Sequence, residues 1–178
     1  MNAPLHAAAI VYDAGDEVDA LLAEVVQAQR QAGRRVRGLL MARSEPGPGC
    51  AAEMVMVDIA SGERYLVSQP LGRDSSACRA DPQGFARAGG VLRAAAGDAP
   101  ELVVVNRFGK LEAEGGGLRA ELLEILSRDI PLLTSVSRGL VDEWQHFTGG
   151  ASQLLAPTRA AVDGWLASTA SACNSTPG

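Results

Sequence analysis

Leu102-Val103-Val104-Val105 is an unbroken apolar run, closed by Pro100 before it and Asn106 after it. Four consecutive branched aliphatic side chains leave no polar face for solvent. A strand of this kind must be covered on both sides, which is the situation of a central strand in a parallel sheet. Parallel neighbours in turn require long crossover connections, usually helical.

The rest of the chain supplies that alternation. Ala7 to Tyr12 reads as a buried strand ending in the turn-like Asp13-Ala14-Gly15. Val18, Leu21, Leu22, Val25 and Val26 then recur at helical spacing, and Gly33 is placed to close that helix. Val36 to Met41 is a second strand, followed by the Ser44 to Gly49 loop. Met54 to Ile59 and Arg64 to Val67 flank Ala60-Ser61-Gly62 as a hairpin. Pro70 to Pro82 carries little apolar pattern and reads as a loop. Asp81 and Pro82 suit the N-cap and first turn of a helix near Gln83 to Ala95. A helix over Leu118 to Ser127, a strand over Pro131 to Thr134, and helices over Leu140 to Phe147 and Pro157 to Ser168 follow. The expectation is one α/β domain over 1–169, with a flexible C-terminal tail over 170–178.

With 16 Lys plus Arg against 21 Asp plus Glu in 178 residues, the formal net charge is −5. No basic field exists for counterion-driven nucleic-acid binding. No apolar run reaches the ~20 residues of a membrane span. Met1 to Ala9 lacks the cationic start and cleavage site of a signal peptide, so a cytoplasmic location without membrane insertion is expected. Cys50, Cys78 and Cys173 are odd in number and form no CxxC pair, and His6 and His146 are far apart. A disulfide framework and a metal site are therefore not expected, and no cofactor is expected either. The apolar helix Leu118 to Leu126 can face either a core or a partner, which leaves a homo-oligomer or a protein partner open.

In a parallel sheet the ligand crevice lies beyond the C-terminal strand ends. Three segments fall there. Tyr12 to Asp19 stands where a phosphate-binding loop, GxxxxGK[ST], would sit. In that frame Tyr12 and Glu17 occupy the glycine positions, Val18 the lysine and Asp19 the hydroxyl. Asp13, Asp16, Glu17 and Asp19 oppose polyphosphate, although they also read simply as acids at a helix start. In the second segment, Leu71 to Asp81, Arg73, Ser75, Ser76, Cys78 and Arg79 supply guanidinium, hydroxyl and thiol groups suited to an oxyanion. Cys78 is a nucleophile only if Arg79 lowers its pKa, and otherwise a small buried hydrophobe. The third, Asn106 to Glu114, sets Arg107 and the chain's single lysine, Lys110, after the strongest strand. They read either as an anion site or as surface cations paired to Glu112 or Glu114. Neither Asn106 nor Arg107 can ligate Mg²⁺ or act as a base, as the strand-end acids of nucleotide hydrolases do.

The stretches LGRDSSACRADP, VVVNRFGKLEAEGGGLR and IPLLTSVS together resemble a bacterial family of uncharacterised nucleoside-triphosphatase-like proteins, from Ala7 to about Leu155. That family looks like a divergent branch of the small P-loop nucleoside triphosphatases and of the GTP-binding adapter of molybdenum-cofactor synthesis. Their strand-end motif is approximately DEIGKME, matched here at Gly109, Lys110 and Glu112 but not at Asn106 and Arg107. The resemblance implies a three-layer α/β fold of P-loop type, with a mostly parallel sheet, an inserted antiparallel hairpin and a degenerate phosphate loop. It also implies a link to molybdenum, since such genes often lie beside molybdate transport genes.

These readings combine into one expectation. NTP hydrolysis is lost, and the crevice binds a small anion such as molybdate or a phosphate group in an accessory or sensing role. The anion-binding residues expected are Arg73, Ser75, Ser76, Cys78, Arg79, Arg107 and Lys110, supported by Asn106, Gly109, Glu112 and Asp81. The rival expectations are a nucleotide hydrolase using Lys110 in an unconventional phosphate loop, and an interaction module with a vestigial crevice.

Overall fold

The computed structural model describes residues 5–43, 53–70 and 78–173. Its strands are β1 (Ala7–Tyr12), β2 (Val36–Arg43), β3 (Met54–Asp58), β4 (Arg64–Leu66), β5 (Ser68–Pro70), β6 (Cys78–Ala80), β7 (Leu102–Phe108), β8 (Leu132–Ser137) and β9 (Gln153–Leu155). Its helices are α1 (Val18–Gln31), α2 (Pro82–Gly97), α3 (Lys110–Ala113), α4 (Arg119–Ser127), α5 (Val141–Phe147) and α6 (Arg159–Cys173), with a 3-10 turn over Arg138–Leu140.

Seven strands form one sheet in the order β4-β3-β2-β7-β8-β1-β9. β2, β7, β8, β1 and β9 run parallel, and the β3–β4 hairpin extends the sheet antiparallel beyond β2. β5 and β6 make a separate two-stranded ribbon. This is an α/β architecture consistent with a P-loop-like fold.

The period-2 alternation of the strands builds two cores. Ala7, Ala9, Val103 and Val105 face α2, α4 and α5, whereas Ala8, Ile10, Leu102 and Val104 face α1 and α6. Each fully buried valine or leucine contributes roughly 1.5–3 kcal/mol, so a strand apolar on both faces gains most at the centre. β7 accordingly lies between β2 and β8.

Several boundaries differ from the sequence expectations: β2 runs to Arg43 instead of Met41, and β8 to Ser137 instead of Thr134. β7 continues through Asn106 and Arg107 to Phe108 instead of ending at Val105. The segment read as a loop from Pro70 contributes its ends to the β5–β6 ribbon. α6 runs on through Cys173, so Ala170 to Cys173, read as tail, are helical. The α2 start follows the reading: the Asp81 side chain accepts from Gln83 N–H at 3.1 Å, with Pro82 in the first turn. No helix among the described residues is long and apolar enough to cross a membrane.

The direction of the connections fixes the crevice. From β1 the chain crosses β8 and β7 to reach β2, whereas from β8 it crosses β1 to reach β9. The turns leaving β1 and β8 therefore pass to opposite faces of the sheet, α1 joining one core and α5 the other, which places the crevice beyond the C-terminal strand ends.

Candidate functional site

The cleft is lined by the turn from Asp13 to Glu17, the first turn of α1, and the end of β7. A cavity of about 490 Å³ lies there, walled by Tyr12 to Ala20 together with Arg107. The turn closes on itself: Asp13 N–H donates to the Asp16 carboxylate at 2.7 Å, and Asp16 N–H to the Asp13 carbonyl at 3.1 Å.

A chain of polar contacts joins four elements beneath it. The Ser135 hydroxyl, within β8, donates to the Asn106 side-chain carbonyl at 3.1 Å. The Asn106 amide donates to the Asp19 carboxylate at 2.8 Å. Arg107 stands 3.8 Å from the same carboxylate oxygen and donates to the Tyr12 hydroxyl at 2.8 Å, its guanidinium 5.6 Å from the Tyr12 ring centroid. Asn106 is completely buried. Only a side chain with both a donor and an acceptor can face a carboxylate on one side and a hydroxyl donor on the other, which accounts for the amide at this position.

Arg138 grips Asp13 with three hydrogen bonds of 2.8–3.0 Å, tying the end of β8 to the β1–α1 turn. These bonds foremost, and the guanidinium charge with them, hold the Asp13 carboxyl below the ordinary aspartate range against a smaller desolvation effect. A depressed folded-state pKa means the clamp stabilises above the unfolded pKa of about 3.9 and is lost as pH falls through the folded value. Titrating the Asp13 side-chain carbon by NMR should therefore give a midpoint that rises in Arg138→Ala. An unchanged midpoint would mean the clamp is not formed in solution.

On the other side of Arg107 lies a smaller pocket of about 250 Å³. Met41, Met54, Met56 and Phe85 make its apolar wall, and Arg107, Lys110 and Leu111 its rim. Lys110 is mostly exposed, with its ammonium 3.7 Å from Glu114 one helical turn on. Glu112 is 3 % exposed and turned inward: its carboxylate accepts from Gly109 N–H at 2.9 Å and from Leu118 N–H at 3.0 Å. Glu112 thus makes the GKLEAEGGG stretch a structural staple. Gly117 belongs to it, because a Cβ there would lie 2.1 Å from a Glu112 carboxylate oxygen.

The expected site residues are only partly brought together. Arg107, Gly109, Lys110 and Glu112 share the smaller pocket, and Asn106 supports Arg107 from the strand. Arg79 is exposed on β6, opposite Gln69, and neither cavity wall includes it. Asp81 serves α2 as its cap. Cys78 begins β6, and Arg73, Ser75 and Ser76 lie outside the described residues.

Sequence reasoning missed the partnerships of Tyr12 with Arg107 and of Asp13 with Arg138, as well as the three methionines. The first two pairs are 95 and 125 residues apart, and nothing local announces them. The methionines had a signal in the strand alternation, since Met54 and Met56 fall on one face of β3. Among the described residues no group of three or more His, Cys, Asp or Glu is disposed to hold a metal ion.

Comparison with known proteins adds a relative and a family. The chain is 36% identical over 168 residues to a Bradyrhizobium diazoefficiens protein named Molybdenum import ATP-binding protein ModC 2. The match takes in 94% of this chain but only 19% of that relative's length. A family model described as Protein of unknown function (DUF2478) matches residues 7–165. With the match running from the first strand into the last helix, the chain belongs to the DUF2478 family.

Proposed function

We propose that this chain is a non-hydrolytic protein of P-loop-like fold that binds a small anion, an oxyanion such as molybdate or a phosphate group, as an accessory or sensing component of molybdenum metabolism. The observation that carries the reading is the Asp19 carboxylate seated against Asn106 and Arg107. The chain's own negative charge already lies where the strand-end donors point. A triphosphate entering beside Gly15 would also meet Asp13, Asp16 and Glu17, at roughly 1 kcal/mol or more of repulsion from each near neighbour. The phosphate loop is in this reading degenerate, and Asn106 in place of a strand-end acid removes the metal ligand that hydrolysis needs.

The anion is taken instead on the Lys110 side. Arg107 donates to Tyr12 and sets a second nitrogen 3.8 Å from Asp19, beyond hydrogen-bond range, so its remaining donors are available to a ligand. The Lys110 ammonium is beyond hydrogen-bond range of Glu114 and open to solvent. Arg73, Ser75, Ser76, Cys78 and Arg79 belong to this reading on the strength of their sequence alone.

The relative's name supports the molybdenum setting. Its ATP-binding character does not carry over, because this chain contains no GxxxxGK[ST] and most of that relative lies outside the match.

Calorimetric titration with molybdate, tungstate, sulfate and phosphate tests the proposal. Saturable heat is expected from at least one, with affinity falling about 10-fold or more in Lys110→Ala, since a charge-assisted hydrogen bond is worth about 1.5–3 kcal/mol. No heat from any of the four in folded protein overturns it. So does Mg·ATP binding at micromolar strength beside Gly15, which would favour a nucleotide hydrolase.

A further inference from the structure

Three of the chain's four methionines meet in one place. Met41 on β2 lies directly opposite Met56 on β3, and Met54 is two residues along on the same face. Strand alternation thus stacks the three thioethers side by side. Phe85, from the first turn of α2, closes the wall over them, and Leu111 adds a further apolar contact. Met56 and Phe85 are buried, whereas Met54 is 37% exposed at the mouth.

Such a wall is chemically specific. Methionine is flexible and polarizable, and its sulfur makes favourable contacts with aromatic rings. The volume of about 250 Å³ is above the 150 Å³ of a cavity known to hold benzene and below the usual range of a drug-sized site. One ring or two fused rings fit. At the rim stand two cations, Arg107 and Lys110, in a chain of net charge −5. Among the described residues the one carboxylate that lines the pocket, Glu112, has an oxygen committed to each of two backbone N–H groups.

We infer that this pocket binds a flat aromatic anion, its one or two rings among Met41, Met54, Met56 and Phe85 and its anionic group on Arg107 and Lys110. The charged half rests on the anion reading above. The apolar half rests on the methionine wall alone, so the ligand is an organic anion and a bare oxyanion fills only the rim.

Full-length protein labelled with ¹³C-methyl methionine gives a direct readout, each signal assigned from a single Met→Leu variant. Naphthalene-1-sulfonate is expected to shift the Met41, Met54 and Met56 methyls together along one saturable curve. Lys110→Glu should weaken that curve at least 10-fold while the backbone fingerprint stays folded. Naphthalene-1-methylammonium should not saturate, and methanesulfonate should bind at least 10-fold more weakly than naphthalene-1-sulfonate. Absence of shifts at all three methyls overturns the inference, as does equal binding of the ammonium analogue. The two proposals fail separately. Heat from molybdate with no methionine response removes the aromatic site and leaves the oxyanion reading. A methionine response with no heat from any inorganic oxyanion does the reverse.

Discussion

Gly38→Ala is expected to destabilise the fold by roughly 2–6 kcal/mol, or to prevent folding altogether. Gly38 is in β2, in register with Val104 of the central strand. Its φ is +134°, and a Cβ built there would lie 1.8 Å from the Val104 carbonyl oxygen. Backbone strain and steric overlap therefore act together, each typically costing about 1–3 kcal/mol. The overlap is with backbone inside a sheet, so no side chain can swing away to relieve it. Gly38 also accepts the Ile59 N–H at 3.0 Å, which ties the end of the hairpin strand to β2. Against a typical total of about 5–15 kcal/mol the loss is large. Urea unfolding monitored by circular dichroism measures it, and an unchanged midpoint would mean that β2 and β7 do not approach this closely.

Glu112→Ala is expected to cost roughly 2–4 kcal/mol. The carboxylate satisfies two backbone N–H groups, Gly109 before α3 and Leu118 at the start of α4, and Leu118 is completely buried. Removing it leaves both donors without their acceptor in a place where water has little access. Glu112→Gln should cost less, because the amide retains one oxygen to accept with. Gly117→Ala attacks the same staple from the other side, by pushing on the carboxylate and by burdening a residue at φ +57°. Combining Glu112→Ala with Gly117→Ala should give a loss smaller than the sum of the two, since the second change finds no carboxylate left to displace. Strict additivity in urea unfolding would show that the contact does not exist. The staple also fixes α3, which begins at Lys110, so anion affinity is expected to fall in Glu112→Ala along with stability.

Three of the four acids between Asp13 and Asp19 illustrate what a single sequence conceals. Asp13, Asp16 and Asp19 read either as a repulsive field or as ordinary acids at a helix start. In the fold each has its own employment: Asp13 with Arg138, Asp16 with the Asp13 amide, Asp19 with Asn106 and Arg107. Their charge was legible, and their partners were not. Asn106 is the counterpart case. An amide after an apolar run reads as the end of a strand, yet β7 continues, because Asp19 and Ser135 supply the hydrogen bonds that a buried amide requires. The ribbon strands β5 and β6 and the edge strand β9 have three residues each, too short for any periodicity to register.

The sequence by itself determined the α/β alternation, the central place of Leu102 to Val105, the hairpin insertion and the Asp81 cap. Each of these depends on residues close together in the chain, through burial of consecutive apolar side chains or a local hydrogen bond. The tertiary structure alone decided that Arg107 would share Asp19 with Asn106, that Arg138 would clamp Asp13, and that three methionines would line one pocket. Those outcomes depend on which strands lie side by side and in what register, and contacts between residues tens of positions apart leave no trace in the local pattern.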